Sequence, residues 1–61
     1  MITDKDLAKN QLDYLALYSC VSDEDYNDYI DKINNEIPFQ IFYFINGKLK
    51  SMDYLTEINI N

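Results

Sequence analysis

Residues 38–52 read Pro38-Phe39-Gln40-Ile41-Phe42-Tyr43-Phe44-Ile45-Asn46-Gly47-Lys48-Leu49-Lys50-Ser51-Met52. Proline ends any helix before it and pushes the preceding residue into extended backbone. Six of the seven residues after it are aromatic or β-branched, in the manner of a strand. Asn46-Gly47 is the strongest short hairpin signal, a type I′ turn with positive φ at both residues. Lys48 to about Met52 then returns as a second strand. A two-residue turn sets Ile45 opposite Lys48, Phe44 opposite Leu49, Tyr43 opposite Lys50 and Ile41 opposite Met52. One side of the hairpin carries Phe42, Phe44 and Leu49. The other carries Phe39, Ile41, Tyr43, Ile45 and Met52, with Lys48 and Lys50 at the turn end. Both sides are apolar, whereas a hairpin with one wet face alternates apolar and polar. Two helices cover only one side, so the other is expected to meet the C-terminal segment, a second copy or a foreign partner.

Upstream of Pro38 the pattern is helical. Ser22 is an N-cap with Asp25 three residues on, and Asp23 and Glu24 fill the first turn. Tyr26, Tyr29, Ile30, Ile33 and Ile37 follow as one apolar stripe. An earlier helix is expected to start at Thr3 as N-cap, with Asp6 at the acidic position, and to end near Cys20 or Val21. Its apolar face comprises Leu7, Ala8, Leu12, Tyr14, Leu15 and Tyr18. The Val21-Ser22 junction is short, so the two helices form an antiparallel αα-hairpin. The fold class is therefore α+β, in one small domain over residues 1–61. An acidic helical hairpin (1–36) packs on an apolar β-hairpin and tail (37–61), in the order ααββ. Residues 54–61 read either as a third strand or as a short helix capped by Ser51.

Composition narrows what such a chain does. It has 61 residues, eleven acids against five lysines, no His or Arg, one Cys, one Gly and a net charge of −6. A chain this short has little room for a substrate pocket of ~300–1,000 Å³. Without His the commonest general base and metal ligand is missing. A single Cys allows neither an internal disulfide nor a Cys-type zinc site. No enzyme activity and no cofactor are expected. At 48% hydrophobic residues the chain is too apolar for a disordered acidic tail. The first residues carry both charge signs with no apolar run behind them, unlike a signal peptide. The longest apolar stretch falls far short of the ~20 residues of a membrane span. The lone Cys suits a reducing compartment, so a cytoplasmic location is expected. Negative charge argues against direct nucleic-acid binding and against an anionic membrane surface. It favours a host or cognate protein with a basic surface.

The charge is segregated. Residues 1–36 hold nine acids and three lysines, while residues 37–61 are neutral. Glu24, Asp28 and Asp31 recur at i, i+4 and i+7 on the second helix, with Asp25 on one flank and Asp6 and Asp13 on the first helix. Their spacing of ~4.5–6 Å along the axis is of the order of the phosphate spacing in a nucleic-acid strand. Such a row either imitates a phosphate backbone or is an ordinary solvated helix face with acids near its N-terminus. Asp23, Asp25, Asn27 and Asp31 also fit part of a calcium-loop register. Asp28 stands where that loop requires Gly and Asn34 where it requires Glu, so no metal site is assigned. Cys20 has no activating neighbour in the pattern and reads as a structural thiol.

Tyrosine joins an apolar body to a polar tip and favours interfaces. Tyr14, Tyr18, Tyr26 and Tyr29 are expected along the seam between the helices, and Tyr43 and Tyr54 on the more exposed hairpin face. In size, charge and its AT-rich codon flavour the chain is similar in kind to small acidic proteins with which phages and mobile elements inhibit host enzymes. The sequence thus predicts a non-enzymatic inhibitor or regulator, of the DNA-mimic or anti-defence kind. It would occlude a basic nucleic-acid-binding surface through Glu24, Asp25, Asp28, Asp31, Asp6 and Asp13. The alternative is an interaction or assembly module, a homodimer or an antitoxin- or immunity-like partner. That module would bind through Phe39, Ile41, Tyr43, Met52 and Tyr54 on the hairpin.

Overall fold

A computed structural model describes residues 1–56, and they form α1 (Lys5–Leu17), α2 (Asp23–Asn34), β1 (Phe39–Ile45) and β2 (Lys48–Tyr54). The α+β class and the ααββ order expected from the sequence are observed. Of the segment 54–61, Tyr54 closes β2, and residues 57–61 lie outside the described residues.

Helix α1 starts one residue later than expected. Asp4, not Thr3, is the N-cap, and its carboxylate accepts the Leu7 N–H at 3.0 Å. The reason is tertiary. Ile2 bridges to Tyr54, donating its N–H to the Asp53 carbonyl (2.8 Å) and accepting the Leu55 N–H (3.1 Å). Thr3 is thereby held between an extended residue and the helix, and Asp4 takes the cap. Its charge also suits the positive end of the helix dipole.

Helix α1 also ends earlier, at Leu17 rather than near Cys20 or Val21. Ser19 adopts φ 59°. The Cys20 N–H reaches back to the Leu15 carbonyl (2.8 Å) and the Ser19 N–H to that of Ala16 (3.1 Å). This is a Schellman close made without glycine. Helix α2 closes in the same way: Glu36 has φ 56°, Ile37 N–H bonds Lys32 carbonyl at 2.8 Å, and Glu36 N–H bonds Ile33 carbonyl at 3.1 Å. The left-handed step swings Ile37 off the apolar stripe to which the sequence assigned it, and Ile37 is exposed. The start of α2 is as expected, with Ser22 Oγ accepting the Asp25 N–H at 3.2 Å.

The helices are antiparallel. Lys5 Nζ, at the start of α1, lies 3.4 Å from the Asn34 carbonyl and 3.7 Å from the Glu36 carboxylate at the end of α2. Strands β1 and β2 pair in the expected register, from Ile45↔Lys48 through Tyr43↔Lys50 to Phe39↔Tyr54. Asn46 (φ 52°) and Gly47 (φ 74°) make the turn. The hairpin's turn end adjoins the α1–α2 loop, where Cys20 Sγ stands 3.7 Å from the Phe44 carbonyl. At its open end the Tyr54 hydroxyl donates to the Ile33 carbonyl at 3.3 Å. Tyr29 packs on Phe39, and Phe39 on Tyr54, with ring centroids 4.8 and 5.5 Å apart.

One core lies between the helices and the hairpin. It comprises Ala8, Leu12 and Leu15 of α1, Val21, Ile33 of α2, and Phe39, Ile41, Tyr43, Met52 and Tyr54. No helix of the described residues is long and apolar enough to cross a membrane.

Candidate binding surfaces

Two surfaces result, and neither is the one that pattern alone selected on the hairpin. Phe39, Ile41, Tyr43, Met52 and Tyr54 were expected on an open face, and all five are core residues; Tyr54 is 1% exposed. The helices settle on this side because it is the larger apolar set, with an aromatic or long aliphatic side chain at each of the five positions. The opposite side alternates Phe42 and Phe44 with Gln40 on β1, and Leu49 with Ser51 and Asp53 on β2. That admixture of polar residues was the available signal for the outward face.

The outward face is nevertheless strongly apolar at its turn half. Phe42, Phe44 and Leu49 are 64%, 68% and 61% exposed. Phe44 is directly opposite Leu49, and Phe42 opposite Ser51. Scattered exposed apolar residues are normal on any protein, but a contiguous group is characteristic of an interaction site. None of the three takes part in the core that holds the domain together.

The acidic residues belong to the helical layer. Glu24, Asp25, Asp28 and Asp31 are all exposed along α2, and Asp6 and Asp13 are exposed on α1. The six do not converge. Asp6 is in the first turn of α1, and Glu24 and Asp25 are in the first turn of α2. Because the helices are antiparallel, these lie at opposite ends of a pair roughly 18 Å long. Several carboxylates also have local partners. Asp13 accepts the Tyr26 hydroxyl, Asp28 pairs with Lys32 at 3.3 Å, and Asp31 Oδ1 accepts from Asn35 Nδ2 at 3.3 Å. The Tyr26–Asp13 bond holds the Tyr26 phenol above its ordinary pKa of 10.0, with burial and the Asp13 charge adding to the effect. Residues Asp23 to Asp31, which resembled part of a calcium loop, are helical throughout. Their side chains therefore radiate around an axis instead of converging on one point.

The tyrosines are partly redistributed. Tyr26 and Tyr29 are half-buried in α2, whereas Tyr14 and Tyr18 pack against each other with tilted rings, centroids 4.7 Å apart, on the exposed side of α1. The buried stripe Ala8–Leu12–Leu15 is the part of α1 that enters the core, which leaves Leu7, Tyr14 and Tyr18 outside it. Tyr43 and Tyr54 are buried, contrary to the exposed placement expected. Cys20 is half-buried at the edge of β1.

No family model, curated protein or solved structure matches the chain.

Proposed function

We propose that this chain is a small non-enzymatic protein that regulates or inhibits a cytoplasmic protein partner by covering part of its surface. The outward hairpin face is its principal contact. The observation that carries this reading is the exposure of Phe42, Phe44 and Leu49 beside one another, on a hairpin whose other apolar side is committed to the core. Such a group contributes binding energy because each aromatic ring brings ~150–250 Å² of surface that water leaves on contact. A partner with a complementary apolar groove and a basic rim fits the chain's net charge of −6. Neither direct nucleic-acid binding nor membrane attachment belongs to this reading. The test is affinity capture with the wild type and with Phe44→Asp. Loss of a salt-resistant partner from a folded Phe44→Asp supports the reading, and retention sinks it.

A second reading rests on a different observation, the four exposed carboxylates Glu24, Asp25, Asp28 and Asp31 along α2. Here the helical face docks on a basic, nucleic-acid-binding surface and occludes it by charge mimicry. That contact weakens steeply with salt, since exposed charges are screened within a Debye length of about 8 Å at physiological ionic strength. Asp28→Lys with Asp31→Lys abolishes it if the second reading holds and leaves it intact if the first does.

A further inference from the structure

We propose that β1 is a self-pairing edge: a second copy of this chain adds its own β1 antiparallel to the first, about a two-fold axis at Phe42, to make a continuous four-stranded sheet. The two edges of the hairpin are unlike. The outer edge of β2 is occupied at its open end by Ile2, and β2 carries Lys48, Lys50 and Asp53. Charges, especially Lys, and covering segments are the devices that keep a strand edge from pairing with another chain. Strand β1 carries no charge, and among the described residues its edge is approached only at Phe44, by Cys20. Phe39–Ile45 is seven residues with no charge and no internal proline, and all seven pair in register with no bulge.

The register makes the edge self-complementary. With Ile45 and Lys48 closing a two-residue turn, the alternation of an antiparallel ladder points the backbone groups of Phe44, Phe42 and Gln40 away from β2. Among the described residues the chain offers Gln40 and Phe42 no other hydrogen bond there, and Phe44 meets the weak Cys20 thiol donor, 3.7 Å from its carbonyl. Phe42 is the middle of the strand. A two-fold axis there sets Phe42 against Phe42 of the second copy and Gln40 against Phe44. Every outward N–H and C=O of those three residues then gains a partner.

The uncharged strand admits a copy of this chain as the occupant in spite of the net charge of −6 on each. Nine of the eleven acids lie in residues 1–36, ahead of the hairpin, so two chains of charge −6 can meet along an uncharged strand without opposing carboxylates in the ladder. Pairing also sets the outward Phe42 side chains of the two copies side by side and turns two small apolar patches into one.

The inference concerns the edge and leaves the outward face open, so it stands or falls separately from the proposed function. The test is sedimentation equilibrium on the full chain, with far-UV circular dichroism to confirm folding. Gln40→Pro removes an outward N–H while leaving the β1–β2 ladder and every outward aromatic in place. Leu49→Ser alters the outward face but not the edge. We expect the wild type and Leu49→Ser at twice the mass of one chain, and Gln40→Pro at the mass of one chain with an unchanged spectrum. If Gln40→Pro loses its fold, Phe42→Lys, which opposes like charges across the two-fold axis, is read in its place. A wild type that stays at one chain's mass at millimolar concentration overturns the inference, whether or not its Gln40 and Phe42 amides are protected by another segment. A dimer that survives Gln40→Pro overturns it too, as does one lost on Leu49→Ser, which would mean stacking by the face.

Discussion

The Tyr26 hydroxyl donates to the Asp13 carboxylate and so ties the start of α2 to the middle of α1 across the helical hairpin. The two side chains stand above a seam whose buried residues, Leu12, Leu15 and Ile33, do most of the work of holding the helices together. The bond is exposed, and water competes for both partners. Tyr26→Phe is expected to cost about 0.5 kcal/mol, the low end for an intramolecular hydrogen bond. Urea unfolding at neutral pH measures it.

The same bond gives a pH dependence. The Tyr26 phenol is raised above 10.0 in the folded chain, chiefly because its proton makes the bond to Asp13. A group raised on folding contributes stability that is whole below its unfolded value and lost as pH climbs through its folded value. The wild type should therefore lose stability above pH 10 more steeply than Tyr26→Phe. Parallel curves in thermal unfolding between neutral pH and strongly alkaline pH would contradict the assignment.

Both helices end on a left-handed residue that is not glycine, Ser19 at φ 59° and Glu36 at φ 56°. An L-residue in that conformation costs roughly 1–2 kcal/mol, part of which glycine gives back through its freer unfolded chain. Ser19→Gly is expected to stabilise the fold by about 0.5–1 kcal/mol. Glu36→Gly should gain slightly less, since it also gives up the exposed Lys5–Glu36 pair at 3.7 Å. A lower melting temperature for Ser19→Gly would contradict the cap geometry.

Leu12 and Ile33 are fully buried. Either one replaced by alanine should cost ~2–5 kcal/mol. At ~0.05–0.15 kcal/mol per residue a chain of 61 residues has about 3–9 kcal/mol in total, so such a loss removes most of the stability over much of that range. Leu12→Ala and Ile33→Ala are thus expected to be largely unfolded at 37 °C. Phe44→Ser should stay within about 0.5 kcal/mol of the wild type, as a surface change does. If Phe44→Ser unfolds the domain, its ring is part of the core and the outward face has been misassigned.

These contrasts follow what was legible in the sequence. Asn46-Gly47 fixed the strand register without ambiguity, and Ser22 fixed the start of α2, because each signal is local. The helix closes at Ser19 and Glu36 were hidden, since neither residue announces a left-handed conformation as glycine does. The start of α1 moved to Asp4 because Ile2 pairs with β2, a contact between residues far apart in sequence. The choice between hairpin faces is likewise tertiary: Phe39, Ile41 and Tyr43 look no more buried in the sequence than Phe42 and Phe44. Gln40 and the partners across the turn separate them, Met52 and Tyr54 on one side against Ser51 and Asp53 on the other.

The central claim is that the outward face of the hairpin, not the acidic face of α2, is the working surface. The most direct test is one salt-gradient elution from a nuclease-treated bacterial lysate, run in parallel with the wild type, Phe44→Asp and the pair Asp28→Lys, Asp31→Lys. The account predicts a partner that resists salt, is lost with Phe44→Asp and is kept by the charge-reversed chain. A partner released at moderate salt, kept by Phe44→Asp and lost on charge reversal would contradict it.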